Sequence, residues 1–303
     1  MNSNRSTTEP TVGEPTVGNQ FATHVLATLE RHVSVIARIR HRVHLGNYKL
    51  TGSGRYWQQG VGNQRKTRLL LQTQIANQTA SLIQVFNGRY LWTDQQLPSG
   101  RKVTRLDPAS MQVGLTGGGT PITRQGQATS ATTLLSAAAS RGSFCGQLAD
   151  LIRQFDFTDP QSIHLHGVPR VALIGHWKMA ALARVWPGVI KDPTATIRSL
   201  DQGRTAEELL AHWPPQLPHH VLLLVGPQNL YPYLIEYRRA IDAPLASTPA
   251  GMQPSQDPLA RYEQFEVQFA AQIDDRLFEM ASSHIDWTDE TPQRIKQLKA
   301  LMR

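Results

Sequence analysis

The side chains able to do chemistry are scattered along the chain. His164-Leu165-His166 sets two imidazoles on one face of an extended strand, the spacing of a candidate metal pair. A transition-metal site needs a third and usually a fourth ligand. Asp156 and Asp159 lie nearby in sequence, but nothing in the spacing fixes their geometry. An ordinary polar strand face is the simpler reading, and no metal is expected. His219-His220 follows Pro218, and adjacent residues on an extended chain point apart. Gly117-Gly118-Gly119-Thr120 lacks the Lys-Ser/Thr of a phosphate loop and reads as a flexible loop. Cys145 is the only cysteine, which rules out an internal disulfide and a Cys-based metal cluster. On a packed helix such a residue is a small buried hydrophobe, whereas a nucleophile would need an activating His and electropositive surroundings. Ser, His and Asp are plentiful, but no Gly-x-Ser-x-Gly elbow organises them. The expectation is a protein that is not an enzyme and needs no cofactor.

The elements that would carry these residues follow from periodicity. Phe21, Val25 and Leu29, with Ala22 and Leu26 beside them, make one apolar helical stripe. In Val35–Leu45 the odd positions Val35, Ala37, Ile39, His41, Val43 and Leu45 alternate with Arg38, Arg40, Arg42 and His44. Period-2 alternation puts an apolar set on one face of a strand and a basic stripe on the other. Gly46-Asn47 turns the chain, and Tyr48–Gln58 returns as a hairpin strand. Gly52 and Gly54 fall on one face of it, permitting a sharp bend or close backbone approach. Strands are predicted over Thr67–Ile75, Ser81–Phe86, Arg89–Thr93 and Lys102–Leu106, then over Ser162–His166, Arg170–Met179 and Leu182–Trp186. Gly114–Gly126 reads as a loop, and residues 130–155 as helix in two pieces, the second with Phe144, Leu148, Leu151, Ile152 and Phe155 on one face. Thr205-Ala206-Glu207-Glu208 is a capping box opening a short helix. Val221–Val225 is a buried strand or a helical stub; Pro232–Arg238 and Glu263–Ile273 are strands, and Thr291–Met302 is a helix. In the last strand Phe265, Val267 and Phe269 are expected on the covered face, and Gln264, Glu266 and Gln268 in water. The fold class is α+β: a curved antiparallel sheet with helices covering its concave face.

Composition bounds the function. The chain has 303 residues and 40% hydrophobic content, enough for a real core. Residues 1–150 hold 16 Lys and Arg against 6 Asp and Glu, while residues 151–303 hold 15 against 17. The whole positive excess sits in the first half and favours anionic partners, an anionic membrane surface among them; plain solubility is the alternative. No apolar run approaches the roughly 20 residues needed to span a bilayer. The first ten residues have no signal-peptide pattern, so the protein is either cytoplasmic or begins after a removed export signal. Residues 1–19, with Glu9–Gly13 repeated as Glu14–Gly18, read as a flexible tail, and 20–303 as a single domain.

Three segments together resemble the LolA-like superfamily of bacterial lipoprotein-sorting proteins. The first is the N-terminal helix leading into Val35–Trp57, ending Gly52-Ser53-Gly54-Arg55-Tyr56-Trp57. The second is Ser81–Asp107, with Phe86-Asn87-Gly88-Arg89-Tyr90-Leu91-Trp92 and Lys102-Val103-Thr104-Arg105-Leu106-Asp107. The third is Phe265–Phe278, with its Asp275 and Phe278, followed by Asp286-Trp287-Thr288-Asp289. The resemblance implies an unclosed half-barrel, here with a helical insertion near 126–158, and a periplasmic or cell-envelope location. It also implies a lipid or lipoprotein acyl chain as ligand, held against Phe265, Val267, Phe269, Trp57 and Trp92. Two other readings stay open. One is a structural or sensing module of the same fold that binds a partner protein. The other is a nucleic-acid binder using the basic first half, for which the chain shows no recognised motif.

Overall fold

The computed structural model describes residues 16–45, 48–75, 77–116, 143–186, 213–214, 217–239, 258–280 and 286–301. The expected capping box at Thr205, the loop at Gly117–Gly119 and the first piece of the insertion helix lie outside these residues.

The chain enters through helix α1 (Val17–Arg31), whose N-cap Thr16 accepts a bond from the Asn19 amide at 3.2 Å. The end of the second repeat is therefore helical rather than tail. Gly18 lets this first turn press on the sheet: a Cβ there would lie 2.1 Å from the Thr158 carbonyl oxygen. Asn19 completes the joint, with its side chain on Asp156 at 2.9 Å and on the Phe157 amide at 2.8 Å.

A meander of six strands follows: β1 (Ser34–Leu45), β2 (Tyr48–Gln59), β3 (Lys66–Ile75), β4 (Gln78–Phe86), β5 (Leu91–Leu97) and β6 (Gly100–Leu106). Helix α2 (Pro108–Thr116) comes next. It was not expected, although Asp107-Pro108 is a good helix start: the Asp107 carboxylate accepts from the Ser110 amide, and proline suits the first helical position. Gly114–Thr116 are thus helical rather than loop. Helix α3 (Phe144–Gln154) is capped by Ser143. Phe155 leaves that helix and opens β7 (Phe155–Phe157), so it serves the core from a strand. β8 (Gln161–Leu165) and β9 (Val168–Trp177) form a hairpin turning at His166, whose φ is 51°. The segment expected as a strand at Leu182–Trp186 is instead helix α4 (Met179–Val185), rich in Ala, Leu, Met and Arg, all good helix formers. β10 (His220–Val225), β11 (Pro232–Arg238), β12 (Ala260–Phe269), β13 (Thr288–Asp289) and helix α5 (Thr291–Leu301) complete the described elements.

All thirteen strands join one sheet in the order β13-β6-β5-β4-β3-β2-β1-β12-β11-β10-β9-β7, with β8 also on β9. Every pairing is antiparallel except β13 with β6. The sheet is curved and does not close. The architecture is the expected α+β half-barrel. No helix among the described residues is long and apolar enough to cross a membrane.

Two helix pairs cover the same face of this sheet. α1 and α3 bring Ala22, Val25, Leu29, Phe144, Leu148 and Leu151 onto Val35, Ala37, Ile39 and Tyr56 of the first hairpin and onto Leu173, Val221, Leu223 and Ile235 of the second half. α2 and α5 bring Met111, Leu115, Ile295 and Leu298 onto Phe86, Leu91 and Leu106. Register ties the two patches to one face, because Val35, Gln58, Thr67, Phe86, Leu91 and Leu106 are consecutive cross-strand partners.

The opposite face is dressed by other parts of the chain. Residues 273–280 cross it and seat Phe278 against Val85, Trp92 and Val103. Arg68 donates to the Leu277 carbonyl at 2.9 Å, and Lys66 pairs with Asp275 at 2.9 Å. At the other half, β8 pairs with β9, and Ile163 and Leu165 pack with Ala172, Leu222, Leu224 and Leu234.

Candidate ligand-binding face

On the helix-covered face, β1 follows its alternation without fault. Val35, Ala37 and Ile39 are buried, while Arg38 and Arg40 are exposed on the other face. β12 does not keep its alternation. Ile36 pairs with Gln268 but Arg38 pairs with Phe265, so β12 carries one extra residue in between. That residue sits at a β-bulge marked by Glu266, with φ 49°. A one-residue slip moves every side chain beyond it to the other face. Val267 and Phe269 accordingly join the main core, as expected. Phe265 does not: it lies on the opposite face, with the Arg38 and Arg40 guanidiniums 5.5 and 5.1 Å from its ring centre. Gln264, expected in water, is 3% exposed and faces the core.

The core therefore holds polar groups that periodicity hides. Gln264 donates to the Pro232 carbonyl at 2.9 Å and accepts from the Tyr231 hydroxyl. Gln58 accepts from the Tyr56 hydroxyl at 2.8 Å, donates to the His32 carbonyl at 3.1 Å, and has the Cys145 thiol 3.9 Å away. Burial without hydrogen bonding would cost each amide a few kcal/mol; here each finds partners. The same dryness raises the tyrosine hydroxyls well above their ordinary range, through desolvation first. It pushes the Cys145 thiol up to about 11, opposite to what nucleophilic chemistry requires. The signal for Gln58 was available: it shares a strand face with Tyr56, two residues away. Gln264 had no such signal, because the bulge is not legible in its side chains.

The row of Ile39 and Gly54 continues across the sheet to half-buried Leu71 and Leu82. One step toward the strand tips, His41 and Ala80 are buried at either end of a row through Gly52 and Thr73, and beyond it Val43, Leu50 and Ile75 are half-buried. Val43, Leu50, Ile75 and Leu82 belong to none of the buried clusters described above. The two glycines allow tight strand approach here: a Cβ at Gly52 would lie 2.1 Å from the Gln72 carbonyl oxygen, and one at Gly54 2.2 Å from that of Leu70. The His41 ring fills the place over Gly52 and reaches across β2, with Nε2 2.6 Å from Thr73 Oγ1. Burial disfavours the charged ring and lowers the His41 pKa.

The remaining sequence-chosen residues lie on the opposite face. Trp57 and Trp92 pack with Val85, Val103 and Phe278. Arg105 stands over the rings of Tyr90, Trp92 and Trp287, at 4.6, 5.8 and 4.1 Å, and pairs with Asp289 at 2.7 Å. Val267 and Phe269 therefore do not share a wall with Trp57, Trp92 and Phe265. The basic stripe meets carboxylates of the more acidic second half: Arg38 pairs with Glu266 at 3.1 Å and Arg40 with Glu263 at 3.5 Å. Arg42 faces Thr51 on one side and Arg261 on the other, and His44 faces Lys49. Glu236, 1% exposed, anchors this network between Arg238 and Arg261. Among the described residues no group of three or more His, Cys, Asp or Glu could hold a metal ion. His164 lies in β8, whereas His166 stands beyond its end in the left-handed turn, so the two do not share one strand face.

These features define an α+β half-barrel with a dry, helix-covered face and an ion-paired opposite face. In this fold the chain resembles solved structures that include members of the LolA superfamily. A Pseudomonas aeruginosa MucA/MucB complex matches at 12% identity and TM-score 0.37, over 87% of this chain and 61% of that one, so this chain spans under two thirds of its length. A LolA superfamily protein from Nitrosomonas europaea matches at 12% identity and TM-score 0.28, over 86% and 97%. LprF from Mycobacterium bovis matches at 9% identity and TM-score 0.36, over 86% and 97%. No protein-family model and no curated protein matches the chain.

Proposed function

We propose that this protein is a non-enzymatic cell-envelope binding protein that holds a lipid or acyl chain on the helix-covered face of its half-barrel. The observation that carries the reading is a set of half-buried apolar side chains, Val43, Leu50 and Ile75 near the strand tips and Leu82 within β4, outside the clusters that the helices close among the described residues. Apolar surface left partly open on the dry side of a sheet is surface that a ligand can finish covering. Each buried methylene contributes about 0.8 kcal/mol, so an acyl chain gains ample affinity with no catalytic residue. Val267 and Phe269 support this face from within the core. Trp57, Trp92 and Phe265 take no part in it, since they stand on the other side of the sheet.

The test is mass spectrometry of lipid extracted from protein purified from its native envelope, with binding of a fluorescent fatty acid measured alongside. Co-purifying lipid, and fatty-acid binding lost in Leu50→Arg/Leu82→Arg, support the reading. A protein partner with no lipid favours the alternative, a partner-binding module of the same fold. No lipid and no fatty-acid binding overturn it.

A further inference from the structure

The ion-paired face carries a second kind of surface, a cavity of about 210 Å3 formed by residues of β8 to β12. Among the described residues Leu165, Leu224, Leu234 and Phe265 give it apolar walls, and Arg170 lines it with its guanidinium 4.2 Å from the centre of the Tyr233 ring. We propose that this cavity is a binding site for a small monocarboxylate with a short apolar tail, its charge at Arg170 and its tail on the leucines. The site lies on the other side of the sheet from the acyl-chain face and does not depend on that reading.

Three observations support it. First, Arg170 is held in place without being neutralised. One of its nitrogens donates to the Pro169 carbonyl at 3.0 Å and its plane stands over Tyr233, while no carboxylate of the described residues comes within ion-pairing distance. A guanidinium has five donors in a planar fork that matches the two oxygens of a carboxylate. Glu263 and Glu266 line the same cavity, but arginines meet them from the side of β1: Arg38 donates to both Glu266 oxygens at 3.1 Å, and Glu263 lies 3.5 Å from Arg40 and 3.3 Å from Arg261. The charge that a ligand meets at Arg170 is therefore positive. Second, the cavity is built into the strand pairing. β11 runs to Pro232 but pairs with β12 only from Tyr237 to Leu234, opposite Glu263. There β12 takes its bulge at Glu266, and the buried Gln264 side chain bridges the strands by donating to the Pro232 carbonyl at 2.9 Å. A bulge that re-aims side chains beside a braced opening leaves a preformed pocket. Third, the size fits a short tail. An engineered apolar cavity of about 150 Å3 holds benzene, so 210 Å3 takes a chain of similar bulk with its carboxylate.

The test is a leucine-methyl NMR titration of the full chain with butyrate and with hexanoate. The methyls of Leu165, Leu224 and Leu234 should shift, and hexanoate should bind more tightly than butyrate by about fourfold for each methylene it buries. Arg170→Gln should weaken hexanoate by about tenfold or more, since it removes a charge-assisted pair. Arg55→Gln removes the same charge from the same side of the sheet but outside the cavity, and should change it by less than about twofold. The methyl spectra of the free variants show whether each keeps the parent fold, and Arg170→Lys, which keeps the charge and loses the fork, should bind between the parent and Arg170→Gln. Shifts confined to Leu50 and Leu82 would assign the acid to the helix-covered face and overturn this site. Equal losses in Arg170→Gln and Arg55→Gln would mean a diffuse basic field and overturn it as well, as would no shift with either acid.

Discussion

The two faces of this sheet solve the same problem with opposite chemistry. On the helix-covered face, polar groups are few, neutral and fully enclosed, as with Gln58 and Gln264 beside Tyr56 and Tyr231. On the other face, charges stay and are satisfied by each other or by rings, as with Arg38 on Glu266 and Phe265. One strand, β1, serves both. Val35, Ala37 and Ile39 enter the dry core, while Arg38 and Arg40 meet Glu266 and Glu263 of β12. The lesson is energetic. A neutral amide can be buried when two partners are at hand, whereas a buried charge needs a counter-charge and more hydrogen bonds. Glu236 is the exception that obeys the rule, being buried only because two guanidiniums close on it.

The sharpest way to break this contrast is to truncate one ring on each side. Phe155→Ala, at a position 0% exposed in the main core, is expected to cost about 3–5 kcal/mol. Phe265→Ala, half-buried between two arginines, should cost about 1 kcal/mol. Equal losses in a urea titration would refute the assignment of faces.

A smaller effect separates the two glutamines around the bulge. Gln264→Ala leaves the Tyr231 hydroxyl and the Pro232 carbonyl without their partner, and should cost about 1–3 kcal/mol. Gln268→Ala, exposed on β12, should stay within about 0.5 kcal/mol of the parent. If Gln268 proves the sensitive one, β12 has no slip at Glu266.

Acid should weaken the dry face first. Desolvation lowers the pKa values of His32, His41 and His219 below the ordinary 6.5. Below pH 6.5 the unfolded chain therefore binds more protons than the folded one, and stability falls as pH drops toward the lowered values. Melting temperatures at pH 8 and pH 5 should show the loss, and His41→Gln, which cannot titrate, should shrink it. On the opposite face Asp289 behaves differently. Burial tends to raise its pKa, but the bonds from Thr291 and Arg105 outweigh that and lower it. Its contribution is present above the ordinary carboxylate pKa of 3.8 and is lost only as pH falls through the lowered value.

The smallest effect belongs to the exposed pair. A double-mutant cycle on Arg38 and Glu266, both more than half exposed, should return a coupling of about 0.2–1 kcal/mol that fades with salt. A larger, salt-insensitive coupling would mean that this face is drier than its geometry shows.

Much of the half-barrel was legible in the residues. The first hairpin, the meander to Leu106, the α1 stripe and the α+β class follow from period and turn chemistry, and β11 falls on its expected bounds. Short segments misled. Leu182–Trp186 reads equally as strand or helix over so few residues, and backbone propensity won. Phe155 fits a helical stripe and a strand alike; the pairing with Trp177 decided it. The candidate face was legible only in part. Gly52 and Gly54 marked the close strand approach, but the ligand-facing side of Trp57, Trp92 and Phe265 could not be read from hydrophobicity. An aromatic ring suits either side of a sheet that is covered on both.

By itself, the sequence determined the strands of the first hairpin and the meander and the alternation within β1, because side-chain direction is a local property of an extended backbone. It also determined that Arg38, Arg40 and Arg42 share a face opposite Val35, Ala37 and Ile39. Only the tertiary structure decided what each face meets. The bulge at Glu266 exists because β12 must pair with β1 at both ends of an imperfect register, and that constraint spans more than two hundred residues of chain. One left-handed residue moved Phe265 out to the arginines and Gln264 into the core.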